Sequence, residues 1–379
     1  MSPPVKRSPH AATHSRATPA PLPLEPSLPA KPSLKAEPSL PAKPSLKAEP
    51  SLKDRFGRTI NYLRISLTDH CNLRCVYCMP LKGLSFAPSA ELLQADEIEL
   101  VVRAAVSVGF HKFRLTGGEP TLRSDLVEIT RRIRAVAGVL DLAMTTNAIL
   151  LPRLARPLKE AGMTRLNIHV DTLDADRVKR LMRFSSKDEI EAGIRAAEEA
   201  GFAPIKLNCV VTRDYNDLDV VDLVRRAVEH NWHVRFIELM PMGGGEPSRV
   251  ALANYVPTKE TRERIEQALG PLIALPVTNA ADESRNFRFE HGRGVVGFIS
   301  PVSEPYCGGC NRMRLTADGR FHLCLLNDDE MDVKKAIRSG GGVEAVAAIL
   351  GQAIATKPTG HRLDEGLSTE DRSMFQIGG

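Results

Sequence analysis

The chain has 379 residues, 42% hydrophobic and 26% charged, the balance of an ordinary soluble protein with length enough for a large core. No stretch is long and apolar enough to span a membrane, and the opening lacks the apolar core of a signal peptide, so a reducing cytoplasmic setting is expected. The net charge of +5 is not a nucleic-acid footprint: residues 1–53 hold eight Lys/Arg against three Glu, which leaves 43 of each sign in the remainder.

Residues 1–53 read as a Pro-rich extension. They carry 13 of the 27 prolines, and residues 25–48 repeat a twelve-residue unit twice. Such a segment cannot bury enough apolar area to offset the entropy of ordering, so disorder is expected there. A fold is expected from Asp54. Over 54–245, short β-like runs alternate with amphipathic helical patterns. The strands are predicted at Asn61–Leu67, Lys112–Thr116, Leu140–Thr145, Leu166–Asp171, Ile205–Val211 and Val234–Leu239. Helices are predicted at Glu97–Val108, Asp125–Val136, Glu189–Ala200 and Leu218–His230. Six β/α units in series predict an α/β fold: a partial (β/α)6, TIM-like barrel with its site at the C-terminal ends of the strands. Residues 246–379 break the rhythm and predict a smaller region, with helical patterns at Thr261–Ala268 and Val343–Ile354.

Alternation along the strands assigns their faces. Leu63, Ile65 and Leu67 oppose Tyr62, Arg64 and Ser66; Phe113 and Leu115 oppose Lys112, Arg114 and Thr116. Leu166, Ile168 and Val170 oppose Asn167, His169 and Asp171, and Leu207 and Cys209 oppose Lys206 and Asn208. Helices outside a barrel require the apolar face, so the polar face must line the lumen. A lumen of Arg, Lys, Asn and Thr suits a polar anion. Cys209, by the same parity, is a buried structural thiol.

The other six cysteines form two triplets, Cys71-x3-Cys75-x2-Cys78 after the first strand and Cys307-x2-Cys310-x13-Cys324 in the C-terminal region. Closely spaced cysteines in a reducing compartment bind metal more often than they pair. Three thiolates are one short of the usual four, so each site can leave a metal open to a small molecule. Zinc completed by His70 or a distant fourth ligand in the first site, or by His322 in the second, is the alternative.

Cys71, Cys75 and Cys78, followed one β/α unit later by Gly117-Gly118-Glu119-Pro120, resemble the radical S-adenosylmethionine enzymes. Further segments occur in one order: Tyr62–Ser66, Phe113–Pro120, Thr145-Thr146-Asn147, Phe236–Pro241, Cys307–Arg314 and a terminal Gly378-Gly379. Together they resemble the GTP 3′,8-cyclase family of molybdenum cofactor biosynthesis over essentially all of residues 54–379.

The resemblance implies two 4Fe-4S clusters, on Cys71, Cys75 and Cys78 and on Cys307, Cys310 and Cys324. It implies S-adenosylmethionine held by Tyr77, Gly118 and Met240. His169 stands where the family commonly has a Ser that contacts this cofactor, and is assigned to the same site. Asn147 is followed by Ala148 where the family has Gly. For GTP the resemblance implies Arg64, Arg114, Thr145, Lys206, Arg312, Met313 and Arg314, with Lys112 and Arg235 as weaker additions. GTP carries about four negative charges, so several cations must converge on it.

The implied reaction is cyclisation of GTP to (8S)-3′,8-cyclo-7,8-dihydroguanosine 5′-triphosphate, begun by a cofactor-derived radical. The Gly-Gly tail is implied to reach the active site. A flavodoxin- or ferredoxin-like electron donor and a downstream cyclic pyranopterin monophosphate synthase are the implied partners, with a homodimer left open and no nucleic acid or membrane. Two rivals stand beside this reading: a peptide-modifying radical enzyme with an auxiliary cluster, and a zinc-stabilised adaptor.

Overall fold

A computed structural model describes residues 52–378. The expectation of disorder for the Pro-rich segment falls on residues 1–51, outside the described residues, as does Gly379.

The first half is a run of β/α units: β1 (Tyr62–Ser66), α1 (Ala95–Ser107), β2 (Lys112–Thr116), α2 (Leu126–Ala135), β3 (Asp141–Thr146), α3 (Leu151–Glu160) and β4 (Arg165–His169). Two helices, α4 (Ala175–Leu181) and α5 (Lys187–Glu199), precede β5 (Lys206–Val211), which is followed by α6 (Val220–His230) and β6 (His233–Glu238). Each of β1 to β6 is parallel to the next, and together they form the expected partial barrel.

Residues beyond β6 enlarge this sheet at both ends. After α7 (Gly245–Ala253) and α8 (Thr258–Leu269) come β7 (Ile273–Ala274), β8 (Arg285–Arg288) and β9 (Val295–Ile299). Then follow β10 (Arg312–Leu315), β11 (Arg320–His322), β12 (Glu330–Asp332), α9 (Lys334–Arg338), α10 (Val343–Thr356) and α11 (Met374–Ile377). The spatial order is β12-β11-β10-β1-β2-β3-β4-β5-β6-β9-β8-β7. β10 lies parallel to β1 and β9 parallel to β6, so strands from the C-terminal region take part in the lumen wall.

The predicted parity holds. Leu63, Ile65, Phe113, Leu115, Leu166, Ile168, Leu207 and Cys209 are buried in one core with the inward faces of the helices. Each such side chain removed from water contributes roughly 1.5–3 kcal/mol before entropy is counted. Cys209 is fully buried as expected, its thiol 3.4 Å from the Asp171 carbonyl. Local signals fix the helix ends: Gln94 with Glu97, and Ser186 with Glu189, form capping boxes at α1 and α5. α3 is absent from the sequence expectation because Pro152 and Pro157 interrupt the helical pattern. Pro152 falls in the first turn, where its missing N–H costs nothing, and Leu151, Ala155 and Leu158 still bury one stripe.

Candidate active site

The first cysteine triplet lies on the loop after β1, at the C-terminal mouth of the barrel. Main-chain bonds pin this loop to the end of α4: Arg74 N donates to Met182 O at 3.2 Å and Val76 N to Leu181 O at 3.0 Å. A second anchor is the turn after β2. Gly118 N donates to Thr68 O and Glu119 N to His70 O, both at 2.7 Å. A Cβ on Gly118 would lie 2.2 Å from His70 O, and one on Gly117, at φ +144°, would lie 2.4 Å from Thr68 O. The paired glycines therefore let two backbones touch as well as facing the cavity. Glu119 then ties β2 to β3, accepting from Thr146 Oγ1 at 2.7 Å and Asn147 N at 2.8 Å.

Cys71, Cys75 and Cys78 line one cavity with Tyr77, Gly118, His169 and Met240. Burial, reinforced by Glu119, pushes the Cys71 thiol up to about 11. Burial, reinforced by Cys71 and Asp171, pushes Cys78 up to about 12. Three thiols so placed ionise only when a cationic centre supplies the missing charge, which fits a metal cluster. Phe375, on α11, donates its N–H to the Cys78 sulfur, and Met374 and Phe375 line the cavity, so the C-terminal segment closes this end. Gly378, at φ +85°, follows it to the ends of β1 and β2, where a Cβ would lie 2.6 Å from Thr116 Cγ2.

His169 faces this cavity, as its parity requires. Tyr77 OH donates to Asp171 Oδ2 at 2.6 Å, and His169 Nε2 lies 2.9 Å from Tyr77 OH and 3.0 Å from Asp171 Oδ2. With the tyrosine proton committed to Asp171, His169 Nε2 must be the donor of its pair. Burial works against charge on this imidazole, but Asp171 outweighs it and raises the pKa.

Below the cavity the lumen is lined with cations in register. Arg314 on β10, Arg64 on β1 and Arg114 on β2 are side by side, and Arg312, Tyr62 and Lys112 form the row beneath. Lys206 and Arg235 reach in from β5 and β6, where Arg235 Nη2 donates to Asn167 Oδ1 at 2.6 Å. Burial and the neighbouring Arg235, Arg165 and Arg114 depress Lys206 to about 8. Burial and Arg114 bring Arg235 down to about 10. The Nε atoms of Arg64, Arg114, Arg235 and Arg314, with Thr145 Oγ1, Asn208 Oδ1 and Tyr62 OH, are buried and find no hydrogen-bond partner among the described residues. Such groups are costly unless a polar ligand meets them.

Met313 departs from expectation. It pairs with Leu63 on the outer face of the sheet and is fully buried in the apolar core, so only its main chain is left for a ligand.

The second triplet sits around the start of β10 and the end of β11. Arg58, bonded to Asp54 Oδ2 at 2.6 Å, donates to Cys307 O at 3.0 Å, Thr359 O at 2.7 Å and Pro358 O at 2.6 Å. A Cβ on Gly360 would lie 3.0 Å from Cys307 Sγ, so the glycine leaves room beside that sulfur. Burial opposes ionisation of Cys310, but Arg312 and Lys357 overcome it and bring the thiol down to about 6. Lys357, buried, donates to Leu323 O, next to Cys324. One thiolate ready at neutral pH and buried cations beside it fit an anionic cluster. His322 is engaged through Nδ1 with Glu330 at 3.1 Å. Its Nε2 is buried and finds no hydrogen-bond partner among the described residues.

Sequence reasoning did not single out Asp171, Arg58, Lys357 or Glu283. The last carries an ion pair to Arg64 at 2.6 Å from the segment joining β7 to β8. Asp171 was legible by strand parity; the other three lie on loops without a motif.

Residues 65–227 match the radical SAM superfamily and residues 232–363 match Molybdenum Cofactor Synthesis C. A GTP 3′,8-cyclase of Pelotomaculum thermopropionicum is 45% identical over 327 residues, 86% of this chain and 100% of that one. A GTP 3′,8-cyclase of Moorella thermoacetica is 44% identical with the same coverage. Among solved structures, Streptococcus suis SuiB bound to its precursor peptide SuiA aligns with a TM-score of 0.54 at 15% identity, over 72% of this chain and 62% of that one. That likeness speaks for the barrel alone. With both halves matched in order and whole relatives covered at this identity, the chain belongs to the GTP 3′,8-cyclase family of radical S-adenosylmethionine enzymes.

Proposed function

We infer that this chain is a GTP 3′,8-cyclase, converting GTP to (8S)-3′,8-cyclo-7,8-dihydroguanosine 5′-triphosphate in the first step of molybdenum cofactor biosynthesis. The observation that carries it is a lumen of converging cations, with unpartnered buried donors, set between two three-cysteine sites. Cys71, Cys75 and Cys78 hold one 4Fe-4S cluster and Cys307, Cys310 and Cys324 the other. S-adenosylmethionine, held beside the first cluster by Tyr77, Gly118, His169 and Met240, would supply the radical chemistry that opens the reaction at the ribose.

The chain's own groups bind, orient and enclose. Tyr77, Gly118, His169 and Met240 border the cofactor side of the cavity. Arg64, Arg114, Lys206, Arg312 and Arg314 meet the charge of GTP, Lys112 and Arg235 extend that field, and Thr145 adds a hydroxyl. Met374 and Phe375 exclude water from the mouth. A low-potential donor of the flavodoxin or ferredoxin type completes the electron balance, and cyclic pyranopterin monophosphate synthase takes the product. The enzyme is placed in the cytoplasm; no helix among the described residues is long and apolar enough to cross a membrane.

The test is anaerobic reconstitution followed by mass spectrometry of a reaction with GTP and S-adenosylmethionine. The cyclised triphosphate and 5′-deoxyadenosine should appear together. Deoxyadenosine without a nucleotide product would overturn the substrate assignment.

A further inference from the structure

The cationic lumen already contains an anion of the chain's own. Glu283 lies between β7 and β8, with a side chain only 15% exposed. Its Oε2 is 2.6 Å from Arg64 Nη2 and 3.0 Å from Arg312 Nη1, and its Oε1 is 3.9 Å from Arg114 Nη1. Burial disfavours the carboxylate, yet Arg64, Arg312 and Arg114 together hold its pKa far below the usual range. Of the three cavities that Glu283 borders, two lie along the lumen. One contains the first cysteine triplet; the other is lined by Lys112, Arg165, Lys206 and His233 from the N-terminal ends of the strands. The ion-pair cluster therefore stands as a partition across the lumen.

The segment bearing Glu283 lies outside helix and strand. Asn279 O accepts from Asp282 N at 3.0 Å, and Ala281 O accepts from Arg312 Nη1 at 3.3 Å. It also rests on the second cysteine loop, where a Cβ on Gly309 would lie 2.5 Å from Ala280 O. A phosphate chain and Glu283 would compete for the same guanidinium groups, and two anions held together there would repel. Without any anion, three buried arginines would face one another with their desolvation uncompensated.

We propose that Glu283 is a built-in competitor: its carboxylate occupies the arginine cluster of the empty lumen and is displaced by the phosphate chain of the substrate, joining the two cavities. This rests on the reading of the lumen as a GTP site. It stabilises the empty enzyme at the expense of affinity, so its removal should move the two in opposite directions.

The experiment uses reconstituted holoenzyme, with inorganic tripolyphosphate and GTP as probes. Glu283→Gln should bind tripolyphosphate about tenfold or more tightly than wild type, while the ligand-free variant melts at a lower temperature. Glu283→Asp, which keeps the charge, should not gain affinity. Unchanged or weaker tripolyphosphate binding by Glu283→Gln would overturn the proposal, because a residue that merely positions the arginines loses affinity and stability together. Should that variant fail to fold, hydrogen exchange in wild type decides: tripolyphosphate should accelerate exchange over residues 279–286, and slower exchange overturns the displacement. Tighter tripolyphosphate binding with no GTP binding by either protein would sink the GTP reading and leave Glu283 in its role. GTP turnover with unchanged tripolyphosphate affinity would do the reverse.

Discussion

Ala148 holds φ +69°, a left-handed conformation that costs a residue with a Cβ roughly 1 kcal/mol or more. The helix opposite makes room for it: a Cβ on Gly193 of α5 would lie 2.2 Å from Ala148 O. Ala148→Gly should therefore raise stability by about 1 kcal/mol, and Gly193→Ala should lower it by roughly 1–3 kcal/mol, both read from denaturant midpoints. His169 is the second residue that breaks its family's pattern, and its bonds to Tyr77 and Asp171 give it a role that serine can share by hydroxyl. His169→Ser should bind S-adenosylmethionine nearly as wild type, whereas His169→Leu, which leaves Asp171 with one partner fewer, should bind it about tenfold more weakly. Equal affinity in the Leu variant at full iron content would remove His169 from the cofactor site. Lys206 gives the site a pH dependence. Its pKa in the empty lumen is about 8, below the ordinary 10.5, and a bound triphosphate favours its charged form. Binding must then take up a proton in that window, so GTP affinity should fall as pH rises from 8 towards 10. Lys206→Gln should lose this part of the dependence; an identical slope in both proteins would show that another group is titrating.

At the scale of elements, the C-terminal segment and strand β10 define the site most sharply. Gly378→Ala would bring a methyl group against Thr116 at a backbone φ of +85°. Cluster content should be unchanged while cyclisation falls at least tenfold, measured as product per iron, since the strain and clash fall three residues beyond Phe375, whose N–H meets Cys78. Wild-type turnover would refute that. Period-two alternation made the lumen face of β1, β2, β4 and β5 legible, because apolar helices demand one face only. It extended to Arg312 and Arg314 once β10 joined β1, and the same rule sends Met313 into the core. What escaped was carried by segments with no period. Glu283, Arg58 and Lys357 each act through a single side chain reaching from a loop, and their partners lie far away in sequence. α3 escaped for the opposite reason, its prolines contradicting a stripe that packing nevertheless satisfies.

On the scale of the whole molecule, the sheet passes without a break from one matched family region into the other. Cutting the chain after residue 245 would strip β1 of β10 and β6 of β9, leaving two parallel edges exposed. A fragment of residues 54–245 should therefore be insoluble or aggregate, by sedimentation, while the full chain stays in solution; a soluble, folded fragment would show that the barrel half is autonomous. The pairing of β1 with β10 joins Arg64 to Arg314 across most of the folded sequence. Closing so long a loop is slow, and it cannot begin before β10 has left the ribosome. The arginine row is thus among the last features a nascent chain acquires, and until then no nucleotide can be captured by the half-built lumen.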